Sequence, residues 1–180
     1  MKQIKPKLCR ECKVKFQPVR PLQSFCSIEC AIKDARKKTV KKEAKKDKDV
    51  KKGLLTHSDY IQLLQKVFNT FIRLRDEKDG LPCISCDCDM SNRKGDASHY
   101  IPTTYQYLRF NPLNVHLACV TCNRYKHGNI HEYRPRLIAK IGLKAVEDLE
   151  ADKHKKLHLS IPEIEDWIKH YKEKIKEFKK

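Results

Sequence analysis

Nine cysteines stand in this 180-residue chain, and eight of them fall into four close pairs. Cys9 and Cys12 are followed by Cys26 and Cys30; Cys83 and Cys86 are followed by Cys119 and Cys122. A CxxC knuckle places two thiolates on one tight turn, so both reach the same tetrahedral ion, and a second pair closes the site. The pattern therefore reads as two structural zinc sites, which stabilise folding and leave chemistry to other residues. Two four-ligand sites use eight cysteines, and Cys88 is left over as a free thiol. The groups suited to chemistry lie between and beside the second set. They are Asp96-Ala-Ser-His99-Tyr-Ile-Pro102, then Asn114-Val-His-Leu-Ala-Cys119, then Cys122-Asn123-Arg-Tyr-Lys-His127. A neutral imidazole can take a proton from water near neutral pH. A divalent cation can stabilise transition-state charge and a leaving oxygen. Phosphodiester hydrolysis needs an activated water, charge neutralisation on the phosphate and stabilisation of the leaving oxygen.

Composition points to the same substrate class. Forty Lys and Arg stand against 23 Asp and Glu, for a formal charge of +17. A charge of that size repels itself unless it meets an anionic partner. Nucleic acid is the favoured partner, because each neutralised phosphate releases counterions; an acidic membrane surface is the rival. No apolar run approaches a membrane-spanning length, and the start, Met1-Lys-Gln-Ile-Lys-Pro, lacks a signal-peptide apolar region. The expectation is a soluble cytoplasmic protein, where paired cysteines hold zinc more often than they form disulfides.

The elements that must position these groups read as an α+β fold. Residues 1–32 are short on core-forming side chains and read as an N-terminal zinc finger. Residues 33–55 carry a lysine-rich run and read as a basic linker or solvated helix lying near DNA without sequence preference. A helix is predicted from Thr56, whose spacing to Asp59 is that of a capping box. Its stripe is Tyr60, Leu63, Leu64, Val67, Phe68, Phe71, Ile72 and Leu74, ending at Asp79-Gly80. Residues 81–132 read as strand, loop, strand and short helix. On the second strand His116 alternates with Val115 and Leu117, so it is expected to face solvent or DNA. Arg136–Ile141 reads as helical with Gly142 as its stop, residues 143–153 as a further helix, and Ser160-Ile-Pro-Glu163 as a strong helix start. The last helix buries Ile161, Ile164, Trp167, Ile168, Tyr171, Ile175 and Phe178 and turns lysines to solvent.

The order His99, Asn114, Asn123 resembles the HNH motif in its variant with Asn at the third position. The run CxxC, SHYIP, NVHLACVTCNRYK resembles HNH nucleases whose finger is braced by a four-cysteine zinc. With CRECKVKF, SFCSIEC and DASHYIP…LRFNPLNVH in that order, nearly the whole chain resembles the NinG/Rap family of lambdoid phage recombination endonucleases. That resemblance implies a zinc-braced ββα-metal finger supported by helices, within an HNH-type nuclease domain over residues 56–180. It implies His99 as general base, Asn114 as the holder of the loop that orients it, and Asn123 as a ligand of a catalytic Mg²⁺ or Mn²⁺. Many relatives carry Asp or His directly before the base, where this chain has Ser98. Asp96 is then the nearest carboxylate for the ion. His127, four residues after Asn123 and so on the same helical face, is either a second ligand from that helix or a surface histidine. Arg109, Arg124 and Lys126 flank the unit as candidate phosphate contacts, or as ordinary surface charge.

The family implies branched DNA, D-loops and Holliday junctions, as substrate, in a phage or prophage setting within a bacterial host. Junction cleavage often uses a dimer, so a homodimer and recombination proteins join DNA among the implied partners. Two other readings fit the residues: a non-catalytic zinc protein that binds DNA or scaffolds a complex, and an HNH enzyme of restriction or homing type. The zinc reading has its own test. Native mass spectrometry should show two tightly held zinc ions per chain, and fewer would undo the two-site assignment.

Overall fold

The structure is a computed structural model that describes residues 4–179. Residues 1–3, part of the start read as lacking a signal-peptide region, lie outside the described residues. So do the side chains of residues 48, 49, 51 and 52 in the basic run. The chain divides into two compact units, Met1–Leu55 and Thr56–Lys180.

In the first unit a two-residue strand, β1 (Lys7–Leu8), pairs antiparallel with β2 (Lys15–Phe16). The knuckle between them turns at Lys13, held at φ 62°, and closes through the Cys9 N–H on the Val14 carbonyl at 2.9 Å. Helix α1 (Ile28–Gly53) starts inside the second cysteine pair, so Cys30 belongs to its first turn. The Ser27 hydroxyl accepts from the Cys30 N–H at 3.2 Å and caps that turn. Finger and basic run are therefore continuous, and Lys37 of α1 pairs with Glu11 of the knuckle.

In the second unit, α2 (His57–Lys78) begins with the predicted capping box between Thr56 and Asp59. Strand β3 (Gly95–His99) pairs antiparallel with β4 (Val115–Cys119), with Ser98 opposite His116 and His99 opposite Val115. A 3₁₀ turn at Gln106–Leu108 lies in the loop between them, and a five-residue π-helix (Thr121–Tyr125) follows β4. Then come α3 (Ile130–Ile141), α4 (Leu143–Asp152) and α5 (Ile161–Phe178), the last with the capping box Ser160–Glu163. Among the described residues no helix is long and apolar enough to cross a membrane.

Helix α3 starts six residues earlier than the sequence predicts. Pro135 argues against a helix interior, because it lacks an N–H and crowds the preceding turn. Burial of Tyr133 and Leu137 outweighs that cost, and Asn129 at φ 50° marks the start. Helices α2 and α5 pack together through aromatic rings: Phe68 meets Tyr171 edge-on with centroids 5.1 Å apart, and Phe71 stacks on Phe178 at 5.8 Å. Such pairs add to the area they bury.

Asp76, 1% exposed near the end of α2, fastens that helix to the strand pair. Its Oδ2 accepts from the Leu117 N–H of β4 at 2.7 Å, and Arg75 donates to both its oxygens at 2.8 and 3.1 Å. Arg75 also reaches the carbonyls of Pro112 and Val115, and Lys140 of α3 reaches Asp76 Oδ1 at 3.4 Å. His116 faces neither solvent nor DNA. It is 2% exposed and accepts at Nδ1 from Arg75 and Lys140, each at 3.0 Å, so Nε2 carries the proton toward the Leu113 carbonyl at 3.1 Å. Strand alternation exposes one face only where that face is left uncovered, and every residue of β4 is buried.

Burial works to raise the Asp76 carboxyl, but the Arg75 guanidinium and the Leu117 N–H hold it well below the usual carboxylate range. A folded-state value below the unfolded one contributes stability above about pH 4, which is lost as pH falls toward the folded value. Asp76→Asn should therefore cost about 3 kcal/mol at neutral pH, as expected for breaking a buried ion pair. Its denaturant midpoint should also depend less on pH below about 4 than that of the wild type. Parallel pH curves for the two proteins would show that Asp76 is not the acid-sensitive clamp.

Candidate functional site

Each unit holds a cysteine tetrad whose sulfur atoms all lie within 4.8 Å of one another. In the first unit it is the predicted set, Cys9, Cys12, Cys26 and Cys30. A zinc–sulfur distance of about 2.3 Å and tetrahedral angles place sulfurs about 3.8 Å apart. The separations of 3.5 Å for Cys12–Cys26 and 3.6 Å for Cys26–Cys30 are near that value. In the second unit Cys86 and Cys119 are 3.8 Å apart. There the four mutually close sulfurs are those of Cys83, Cys86, Cys88 and Cys119, so Cys88 joins the group in which Cys122 was expected. Cys88 is not a thiol set apart, and Cys122 lies outside the tetrad, against Cys86 and Cys119. The physical reason is local: Asp87 adopts φ 62°, which folds the chain back and aims Cys88 at the cluster. Burial and the adjoining Cys86 and Cys119 push the Cys88 thiol up to about 12. Adjacent buried sulfurs of this kind become a stable thiolate set when a cation neutralises them, so both tetrads suit zinc.

The cluster brackets the β3–β4 hairpin. Cys83–Cys88 precede β3, Cys119 ends β4, and Cys122 lies in the π-helix. The Cys119 N–H points at Cys83 Sγ at 3.2 Å, and the Cys122 N–H at Cys119 Sγ at 3.4 Å. Asn129 ties the return loop down, donating to the Ser85 carbonyl at 3.4 Å and to Cys122 Sγ at 3.8 Å.

His99 ends β3, half-buried. Its Nε2 is 2.9 Å from the Arg109 carbonyl. A carbonyl oxygen only accepts, so Nε2 carries the proton and Nδ1 keeps its lone pair. Burial lowers the His99 pKa below the ordinary histidine value, which keeps the ring neutral. The loop holding that carbonyl is fixed by Asn114, which is fully buried. Asn114 Oδ1 accepts from the Ile101 N–H at 2.7 Å, and its Nδ2 donates to the carbonyls of Ile101 at 2.9 Å and Leu108 at 3.1 Å.

A second group forms around Asp96. Arg124 grips the carboxylate in bidentate fashion, at 2.7 and 2.9 Å, and Asn123 Nδ2 donates to Oδ2 at 3.2 Å. The bonds and charge of Arg124 hold the Asp96 carboxyl below its ordinary value. Because Asn123 uses its amide nitrogen here, its carbonyl oxygen remains available. Strand alternation puts Asp96 and Ser98 on one face of β3 and His99 on the other. Asp96 therefore shares the face of position 98, about 7 Å further along the strand. Ser98 Oγ is buried and has no hydrogen-bond partner among the described residues. The structure brings Asp96 and Asn123 into direct contact.

His127 joins neither group. The π-helix ends at Tyr125, closed by the Lys126 N–H on the Thr121 carbonyl at 3.1 Å, and His127 follows in a left-handed turn at φ 49°. The helical-face argument for it fails because the helix stops first. Arg109 donates through Nε to Gln65 at 2.6 Å, and Lys126 is exposed. Arg73, on α2, also bears electrostatically on Asp96. Sequence periodicity assigned α2 to core packing and gave no sign of that.

A family model described as "Bacteriophage Lambda NinG protein" matches residues 1–180. Curated relatives named "Protein ninG" are similar along almost their whole length. That of Escherichia phage lambda is 35% identical over 188 aligned positions, covering 94% of this chain and 90% of the relative. That of Salmonella phage P22 is 35% identical, covering 94% and 91%, and that of Escherichia phage 933W is 34% identical, covering 95% and 92%. No solved structure matches the chain significantly.

Asn114→Ala removes three hydrogen bonds and leaves the buried Ile101 N–H unpaired. A loss of about 2–4 kcal/mol is expected by denaturant titration. Faster amide exchange at Ile101 should accompany it, and a neutral substitution would mean the loop is held elsewhere.

Proposed function

The chain belongs to the NinG family, and from that premise we propose that it is a metal-dependent DNA endonuclease of HNH, ββα-metal type. The observation that carries the reading is the His99 tautomer: Nε2–H on the Arg109 carbonyl, Nδ1 left with its lone pair, and a ring kept neutral by burial. Those are the requirements of a general base near neutral pH. In this reading Nδ1 takes a proton from the attacking water, and Asn114 keeps the loop and its carbonyl from shifting. Asp96 and Asn123 would hold the divalent cation, whose chemistry when bound is to offset charge on the phosphate and the leaving oxygen. Arg124, once released from Asp96, and Lys126 would contact phosphate oxygens, with Arg109 alongside the loop that holds the base. His127 is given the surface role rather than that of a second ligand from the helix, since the π-helix ends before it.

Branched recombination intermediates, D-loops and Holliday junctions, are the proposed substrates, cut on phage or prophage DNA in the cytoplasm of a bacterial host. A homodimer and recombination proteins are proposed partners. The basic helix α1 and a net charge of +17 favour binding to the backbone of any DNA form. Branch choice then has to come from shape.

The test is cleavage of a labelled four-way junction and of supercoiled plasmid with Mg²⁺ or Mn²⁺. His99→Ala should abolish cleavage while DNA binding and zinc content persist. The wild-type rate should rise with pH through a value below the ordinary histidine range and be flat near neutrality, since the base works deprotonated. Equal cleavage by the variant would leave the non-catalytic DNA-binding or scaffold reading. Equal cutting of junction and linear duplex of the same sequence would favour a restriction or homing role.

A further inference from the structure

The second cysteine cluster holds five sulfurs, one more than a tetrahedral zinc accepts. Three of them are common to either possible set: Cys83, Cys86 and Cys119. Cys88 stands within 4.8 Å of all three. Cys122 bears on Cys86 and Cys119 and lies one residue before Asn123. We propose that Cys88 and Cys122 compete for the fourth coordination position, so that the zinc site exchanges one ligand between the knuckle and the π-helix.

The two knuckles of the chain show that Cys88 is an addition rather than a part of the turn. In the first, Lys13, four residues after Cys9, adopts φ 62°, and the Cys9 N–H closes on the Val14 carbonyl at 2.9 Å. In the second, Asp87, four residues after Cys83, also adopts φ 62°, and the Cys83 N–H closes on the Cys88 carbonyl at 3.0 Å. Cys88 thus occupies the place of Val14, which supplies the same backbone bond with no sulfur. The turn needs a carbonyl there and not a thiol. The thiol is nevertheless delivered into the cluster by the left-handed residue before it, and its sulfur also lies 4.0 Å from that of Met90.

Exchange has a structural consequence. With Cys122 on the ion, the π-helix bearing Asn123 and Arg124 is tied to zinc through a covalent neighbour of Asn123. With Cys88 on the ion, that helix is held instead by the Gly128 N–H on the Cys122 carbonyl at 2.9 Å and by Asn129 on Cys122 Sγ at 3.8 Å. No covalent chemistry is involved: one zinc–sulfur bond replaces another, and the released thiolate takes up the proton lost by the incoming thiol. The inference concerns metal binding alone and stands or falls independently of nuclease activity.

Full-length Cys88→Ser, Cys122→Ser and the double variant decide it. Metal is counted by native mass spectrometry, and Co²⁺ is substituted for sulfur-to-cobalt charge-transfer absorption. Each single variant should keep two ions per chain and a wild-type charge-transfer intensity per ion. The double variant should lose the second ion or the intensity of one thiolate. The first tetrad, untouched by either change, is the internal reference for folding. Loss of metal or of charge-transfer intensity in Cys122→Ser alone would overturn exchange in favour of a fixed Cys122 ligand. The same loss in Cys88→Ser alone would overturn it in favour of a fixed Cys88, and an undiminished double variant would remove both from the site.

Discussion

A carboxylate buried as fully as Asp76 is tolerated only where its charge is answered from several sides, and the answers come from different elements. Arg75 is on α2, the Leu117 N–H on β4 and Lys140 on α3. Each partner is needed to offset the cost of burying the others. The network therefore holds the helix, the strand and the following helix in one register. His116 completes it as a neutral ring with both cations at Nδ1. The anchor positions β4 and, through strand pairing, β3, which the Tyr133 hydroxyl also holds by the Ser98 carbonyl at 3.1 Å.

The cysteine cluster constrains the same hairpin from its other end. It gathers sulfurs from before β3, from the end of β4 and from the π-helix, so three points of the chain separated by loops converge on one spot. Asp76 at one end and the sulfurs at the other leave the strand pair little freedom. The His99 ring depends on that rigidity, because drift of the Arg109 carbonyl would release it. Asn114 serves the intervening loop in the same way, with three bonds inside the protein and none to solvent.

The Asp96 group is organised differently. Its side chain is 19% exposed and gripped by Arg124, whose side chain is 63% exposed. An ion pair open to water contributes little to stability and is readily exchanged. The buried network thus holds the hairpin, and the exposed pair adds little to that. The orphaned Ser98 hydroxyl lies on the same strand face as Asp96, and its lack of a partner marks that face as one where the fold has left polar capacity unused.

The residues by themselves determined the local structure whose causes are local. The capping boxes at Thr56 and Ser160 satisfy helix ends within four residues, and the stripes of α2 and α5 repeat at helical spacing. The cysteine pairs and the order His99, Asn114, Asn123 were legible for the same reason, and the family likeness follows from them. Tertiary structure decided what depends on distant partners. His116 sits on an alternating strand, yet it is buried because α2 and α3 bring Asp76, Arg75 and Lys140 to it from 24 or more positions away in the chain. Pro135 lies inside a helix because the burial of Tyr133 and Leu137 outweighs a local cost. Cys88 joins the cluster through a left-handed turn that no spacing rule specifies, and His127 leaves the site because the π-helix stops short of it. The division follows the range of the interaction: a cap or a stripe is complete within one element, whereas a buried charge or a shared ion is satisfied only by groups the fold has already gathered.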